Sequence, residues 1–410
     1  LKQRLPALTG VRFFAAFAVL LMHYAPLMRA SISVWEIASQ GRAGVCFFFI
    51  LSGFILTYNY FDWFEKGITA ARFRAFARAR IARIYPMHVA ALLLLTPIIL
   101  FAFARHLPGY QSSPGIPTVT LSWLANLLLL EVYIPTTSYT QLWNSPAWSV
   151  ASELFFYACF PMFIAMLARK SSSRRALICV AGVCFVIELS LFCVAAKLIK
   201  QATGRVDADL LDYIVFRMPF FRIWEFFIGC CLGMIFLRCP PRFLSNQLWR
   251  DGWLLATMIA VFLIAVSPWY VHRADTLSWY VLYTPVFAMM IFCLAGGKTL
   301  LSDVLEFPLI VLLGEASYSL YLLHWIPMTA LQLAYGPAGP PIAVTIAAMI
   351  GCIALSVACL KLIEIPARRF LTRGSIPLPG FPVPRTAIAE SPLPSRPSVP
   401  HTIAPINRAK

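Results

Sequence analysis

The chain has 410 residues, of which 60% are hydrophobic and only 12% charged, and its net charge is +17. Soluble globular domains are about half apolar and about a quarter charged, so this balance excludes an ordinary soluble fold and points to burial in lipid. In a soluble protein such an excess of cations would suggest nucleic-acid binding. In a membrane protein the retention of Lys and Arg in cytoplasmic loops supplies it, and no nucleic-acid partner is expected.

Taken in chain order, the apolar runs predict an all-α polytopic membrane protein. Its ten spanning helices are expected at 10–28, 43–61, 85–104, 146–167, 176–198, 217–237, 253–271, 278–296, 307–330 and 341–363. The first run could pass for a signal peptide, but the spans that follow it favour an uncleaved first helix. Between the third and fourth spans, "LSWLANLLLL" (121–130) is too short to cross and predicts a re-entrant or interfacial segment. Loop charge supports this count. With the N-terminus inside, 25 of the 34 basic residues fall on the inner side, whereas a span at 121–130 would move "RKSSSRR" (169–175) outside. Both termini are therefore expected in the cytoplasm.

Residues 1–373 read as one transmembrane domain. From Gly374 the pattern changes: residues 374–410 carry 9 of the 30 prolines without periodicity, which predicts a disordered cytoplasmic tail. Most of the 11 cysteines lie inside apolar runs, with no metal-site or redox spacing. They read as small buried hydrophobes, and no metal is expected.

An ionisable side chain inside a span is costly and marks a functional site by default. Those that qualify are His23, Glu153, Glu188, Arg222, Glu225, Glu315, His324 and, at an inner boundary, Glu364. Arg12 and His23 are eleven positions apart on the first helix. That spacing returns them to nearly one face, about 16 Å apart along the axis. Arg12 would then offer a cation at the cytosolic mouth, and His23 an imidazole for proton transfer toward the outer half. The plainer readings are a positive-inside anchor and a packing histidine. Counted from the outer helix ends, His23, Glu153 and His324 all fall roughly 8–11 Å deep. A shared depth predicts one polar cavity in which a carboxylate orients a histidine base; the alternative is a structural Glu153–His324 pair that locks two helices.

Other features are more local. Arg222 and Glu225, at i and i+3 in "FRIWEFFIG", read as a structural pair. Glu364 reads as a local salt bridge to Arg368 or Arg369, and Glu188 has no evident partner. The arginines of "ARFRAFARARIAR" (71–83) suit a basic amphipathic helix, either bound to lipid headgroups or holding the phosphates of a cytosolic cofactor. His88, just beyond, is a cofactor contact or an interface residue. Gly44, Ser52 and Gly53 on the second span allow close helix approach or passage of a ligand tail.

Six motifs in order resemble the bacterial acyltransferase 3 membrane proteins. "LTGVRFFAAFAVLLMHY" looks like their first helix, with Arg12 and His23 at the family spacing, and "GVCFFFILSGF" like their second. "RARIARIYPMH" matches an Arg-x-x-Arg-Ile-x-Pro element through Arg80, Arg83, Ile84 and Pro86. "WSVASELFFY" matches a Trp-Ser-x-x-x-Glu element through Trp148, Ser149 and Glu153, and "SYSLYLLH" and "EIPARRF" match the late motifs. The resemblance covers residues 5 to about 373. It implies transfer of an acyl group, usually acetyl, from cytosolic acyl-CoA to a hydroxyl on an envelope carbohydrate or related molecule. Some members carry an extra periplasmic esterase-like domain; none is expected in this chain.

Residues and resemblance together predict a mechanism. Arg12, Arg80 and Arg83 hold the phosphates of acetyl-CoA, His23 acts as general base on the acceptor, and Glu153 orients it or balances its charge. A covalent acyl-histidine is a variant of the same chemistry. Trp148, Ser149, Ser317, Tyr318 and His324 are expected in supporting or substrate-side roles. The expected setting is a bacterial inner membrane, with lipid and a carbohydrate or glycolipid acceptor as partners. The rival class is a proton-coupled transporter. The lack of an internal repeat and the arginine-rich loop in register with a His-bearing helix favour the enzyme.

Overall fold

A computed structural model describes residues 3–28, 32–107, 110–111, 115–134, 141–170, 173–203, 212–266 and 280–373, and these form helices with no strand among them. The principal helices are α1 (Pro6–Tyr24), α2 (Ala43–Phe64), α3 (Ala70–Ala104), α4 (Ile116–Leu127), α5 (Ala147–Lys170), α6 (Arg174–Thr203) and α7 (Pro219–Arg238). They continue with α8 (Gln247–Val266), α9 (Tyr283–Ala295), α10 (Pro308–Glu315), α11 (Ser317–Leu323), α12 (Trp325–Tyr335), α13 (Ile342–Cys359) and α14 (Ile365–Leu371). Among the described residues eight helices are long and apolar enough to cross a membrane, and nine if the bent pair Pro308–Glu315 and Ser317–Ala338 is one span. The chain is a polytopic all-α membrane protein. Each of the ten expected segments meets a helix, although the eighth, Tyr280–Ala295, is shorter than the rest. The proline-rich tail at 374–410 lies outside the described residues.

Three departures from the sequence reading matter for function. First, α1 starts at Pro6, whose fixed φ and missing N–H suit a first helical position. It also ends at Tyr24, so His23 occupies its last turn rather than sitting deep in a span. Second, the basic amphipathic stretch and the third span are one continuous 35-residue helix, α3, capped by Thr69 through the Arg72 N–H. The arginines of 71–83 thus feed straight into the bundle. Third, α10 and α11 meet at a 50° bend, and Glu315 is exposed at that break rather than enclosed in a span.

The small residues of α2 separate into distinct roles. A Cβ on Gly53 would strike the Phe226 carbonyl of α7, and one on Gly229 would strike the Ile50 carbonyl of α2. The glycines therefore set the backbone contact between these two helices, which pack more extensively than any other pair. Gly44 meets α1 near Ala15. Ser52 alone of the three lines the cavity that also holds Arg12 and Glu153.

Behind this contact lies a buried polar cluster. Arg222 Nη2 and Glu225 Oε1 are 2.9 Å apart with both side chains 1% exposed, as the i,i+3 spacing led one to expect. Glu188 of α6 accepts from the Thr284 hydroxyl at 3.2 Å, which is the partner its sequence context did not reveal. His88 is an interface residue: its Nε2 bonds the Asn126 carbonyl of α4 at 2.8 Å.

Glu131, in the short turn Glu131–Tyr133 after α4, is also buried, and neither carboxylate oxygen meets a partner in another residue. Burial raises its pKa from 4.5 to about 8. The folded state therefore binds this proton more tightly than the unfolded chain. The linked stability is intact below pH 4.5 and falls as pH rises toward 8, by about 1.4 kcal/mol per pH unit. Glu131→Gln should flatten that slope and raise the melting temperature of the detergent-solubilised protein at pH 8. An unchanged melting profile across this range would show that the site ionises freely.

Candidate active site

Five elements converge on a cavity of about 160 Å³. Arg12 enters from α1, Ser52 from α2, Arg80 and Arg83 from α3, and Ser149, Glu153 and Tyr157 from α5. Ser317, Tyr318 and Tyr321 come from α11, and Phe48, Phe49 and Ile55 supply apolar wall. Residues that sequence spacing linked only through the resemblance thus share one lining.

The cavity is cationic, and its arginines are engaged unequally. Arg83 Nη1 pairs with Glu364 at 2.5 Å. Glu364 also accepts from Ser319 at 2.5 Å and lies 3.5 Å from Arg368. This carboxylate therefore ties α3 to the junction between α13 and α14, a longer reach than the local bridge to Arg368 that it also makes. Arg80 donates to the Tyr60 hydroxyl at 3.0 Å, and its guanidinium lies 5.1–5.9 Å from the rings of Tyr60, Phe76 and Tyr157. That aromatic setting suits a buried guanidinium, yet its Nε has no partner. Arg12 makes no ion pair or hydrogen bond among the described residues, although Arg83, Glu364 and Glu153 lie within its electrostatic reach. The buried Ser317 hydroxyl is likewise unpartnered. Unsatisfied buried donors are costly, and here they line one cationic space.

Glu153 belongs to this cavity and not to a histidine. Its Oε1 accepts from Ser52 at 2.8 Å and from Tyr157 at 2.5 Å. The shared depth of Glu153, His23 and His324 is corrected accordingly: α1 ends at Tyr24, four residues before the end read in the sequence, and Glu153 stands with Arg12 in the cavity lining. Tyr157 and Tyr321 were not singled out in the sequence, because tyrosine in an aromatic-rich span carries no distinguishing signal.

The two histidines meet each other instead. His324 Nε2 lies 3.0 Å from His23 Nδ1, and the same Nδ1 lies 3.0 Å from the Val19 carbonyl. A carbonyl can only accept, so the proton belongs on His23 Nδ1, shared between Val19 and His324. His23 Nε2 then carries the lone pair of a base. The His324 ring is itself anchored to backbone at Leu320 and Tyr321, and the Tyr24 hydroxyl donates to the His324 carbonyl at 3.0 Å. Trp325 closes edge-on against His23, with ring centroids 5.2 Å apart.

Of the remaining expected residues, Ser149 lines the cavity and is hydrogen-bonded to the Tyr321 hydroxyl at 2.9 Å. Tyr318 lies against Arg83 and donates to the Ile84 carbonyl at 2.6 Å. Trp148 is outside the lining; it packs against Phe49 and Phe216 and backs the wall. Among the described residues no group of three metal-ligating side chains converges.

A polytopic helical bundle with an arginine-lined cavity and a histidine pair is the frame, and comparison with known proteins supplies the class. Residues 5–361 match the acyltransferase 3 model, described as an acyltransferase domain. The acyltransferase MdmB of Streptomyces mycarofaciens is 30% identical over 341 residues, covering 79% of each chain. The putative peptidoglycan O-acetyltransferase YrhL of Bacillus subtilis is 27% identical, covering 82% of this chain and 50% of its own length. The peptidoglycan O-acetyltransferase OatA of Listeria monocytogenes is 21% identical, covering 79% of this chain and 49% of its own. The chain thus spans about half the length of these two relatives. No solved structure matches it. The chain belongs to the acyltransferase 3 family and is a multi-pass membrane O-acyltransferase, which sets the transporter reading aside.

Proposed function

We propose that the enzyme moves an acetyl group from cytosolic acetyl-CoA to a hydroxyl of an envelope glycan or lipid-linked saccharide, in a bacterial inner membrane with both termini cytoplasmic. The observation that carries this reading is the arginine cavity with its unengaged donors: Arg12, the Arg80 Nε and the Ser317 hydroxyl. Guanidinium groups suit phosphate and other oxyanions, and the α3 arginines extend from the cavity along the N-terminal turns of that helix. The names of two relatives, both peptidoglycan O-acetyltransferases, support a glycan hydroxyl as acceptor.

In this reading the arginines hold the anionic part of the donor, and its thioester reaches toward the outer end of α1. His23 Nε2 takes the proton of the acceptor hydroxyl as oxygen attacks the thioester carbon. His324 accepts the Nδ1–H and steadies the imidazolium that forms. Glu153, held by Ser52 and Tyr157, balances the charge of Arg12 and Arg80 rather than orienting His23.

The test is transfer of radiolabel from acetyl-CoA by purified, reconstituted protein into envelope glycan, with mass spectrometry of glycans from cells with and without the gene. Label in a hydroxyl ester, lost with the gene, is expected. Binding of acetyl-CoA without any labelled ester in glycan or glycolipid would overturn the acceptor class; failure to bind acetyl-CoA would overturn the donor.

A further inference from the structure

The arginine cavity does not reach the histidines. Neither His23 nor His324 lines it, whereas Tyr321 belongs to both neighbourhoods. The Tyr321 ring lies against the His324 ring, with centroids 5.9 Å apart, and against Phe48, with centroids 6.3 Å apart. Its hydroxyl is latched to Ser149 at 2.9 Å, and the Ser149 hydroxyl also lies 3.1 Å from the Pro146 carbonyl. Two hydroxyls and one carbonyl make a complete chain: Ser149 donates to Pro146, and Tyr321 donates to Ser149. The ring is therefore held by one hydrogen bond on its polar edge and by aromatic contacts on its faces. Tyr321, with the partly buried Phe48 beside it, thus touches the cationic cavity on one side and the partner of His23 on the other.

We infer that Tyr321 is a latched partition that separates the acyl donor from the histidine pair and so decides whether the thioester is used by the acceptor or by water. This inference rests on the acyl-CoA reading of the cavity. In the coupled reaction the acceptor oxygen forms the new C–O bond, the thioester C–S bond breaks, and the hydroxyl proton ends on the departing thiolate. Water in place of the acceptor satisfies the same balance and yields free carboxylic acid and thiol. A bundle whose donor cavity lay open to the histidines would run that second reaction whenever the acceptor was absent. The partition makes passage conditional. The latch is a single neutral hydrogen bond, weak enough to break when an acyl group fills the apolar wall at Phe48 and Phe49.

The experiment measures two quantities in reconstituted full-length protein given acetyl-CoA alone: equilibrium binding, and release of free CoA thiol. Tyr321→Ala removes the partition and should raise acceptor-independent hydrolysis at least about tenfold at saturating acetyl-CoA, where a change in donor affinity does not enter. Ser149→Ala and Tyr321→Phe each remove the same latch and keep the ring or its neighbour. Each should raise hydrolysis about 2- to 10-fold, and the double variant should go no further, because only one bond is lost. These two variants carry the test if Tyr321→Ala does not fold. Hydrolysis at the wild-type level in all folded variants that still bind acetyl-CoA would overturn the partition and leave the donor site standing. A wild-type protein that does not bind acetyl-CoA would instead overturn the donor reading and the partition with it.

Discussion

His23→Ala is expected to lower acetyl transfer by about 10²- to 10⁴-fold, the usual cost of losing a general base, while the protein still inserts and purifies as a monodisperse species. The reason lies in the hydrogen-bond pattern. Val19 and His324 both engage Nδ1, so Nε2 is the nitrogen left for chemistry. His23 occupies the last turn of α1 and is half-buried, so its removal leaves no large void and no unpaired charge. His324→Ala should hurt less, since it removes the partner of Nδ1 while the Val19 carbonyl still holds the same tautomer. The rates are read as radiolabel transfer at saturating acetyl-CoA, so that a change in donor affinity does not enter. A His23→Ala enzyme that keeps most of its turnover, with His324→Ala equally active, would remove the pair from the reaction and reduce it to a packing contact between α1 and the α11–α12 junction.

How much of this was readable from sequence follows from which signals are local. The spans were legible because lipid demands long apolar runs, and each of the ten expected segments meets a helix. Arg12 and Glu153 were legible singly because charge in a span is rare enough to notice, and Arg80 and Arg83 through the basic stretch and the resemblance; the structure brings all four to one lining. Pairing was not legible. Residue counts from helix ends read in a sequence carry an error of up to about a turn, about 5 Å along an axis. That error was enough to place Glu153 beside the histidines when it stands beside Arg12. Glu364 had two arginines nearby in the chain, but its shortest ion pair is to Arg83, 281 positions away. Nothing local in a sequence points across such a separation. Tyr157, Tyr60 and Tyr321 were silent because 15 tyrosines and 32 phenylalanines crowd the chain, and only the fold says which of them meet a charge.

The arginines make the sharpest remaining test, because their partners predict opposite effects on stability. Arg12→Ala should raise the acetyl-CoA concentration needed for half-maximal transfer by about 10- to 100-fold, the range of one lost charged hydrogen bond of about 1.5–3 kcal/mol. Folding should be unharmed or slightly improved: Arg12 has no ion pair to lose among the described residues, and it lies within reach of the like charge of Arg83. Arg83→Ala should also weaken donor use, but it removes the closest cation of Glu364, whose side chain is 1% exposed. A buried carboxylate stripped of its partner typically costs about 3–5 kcal/mol. Arg368 at 3.5 Å and Ser319 at 2.5 Å would recover only part of it. Arg83→Ala combined with Glu364→Gln should therefore regain stability without regaining donor affinity. The measurements are melting temperature in detergent and initial rate against acetyl-CoA concentration. If Arg12→Ala melts well below the wild type, its guanidinium is a structural strut, and the claim that it waits for an anion fails. If Arg12→Ala leaves the acetyl-CoA dependence unchanged, the role of Arg12 in holding the donor fails, and its cavity binds something else.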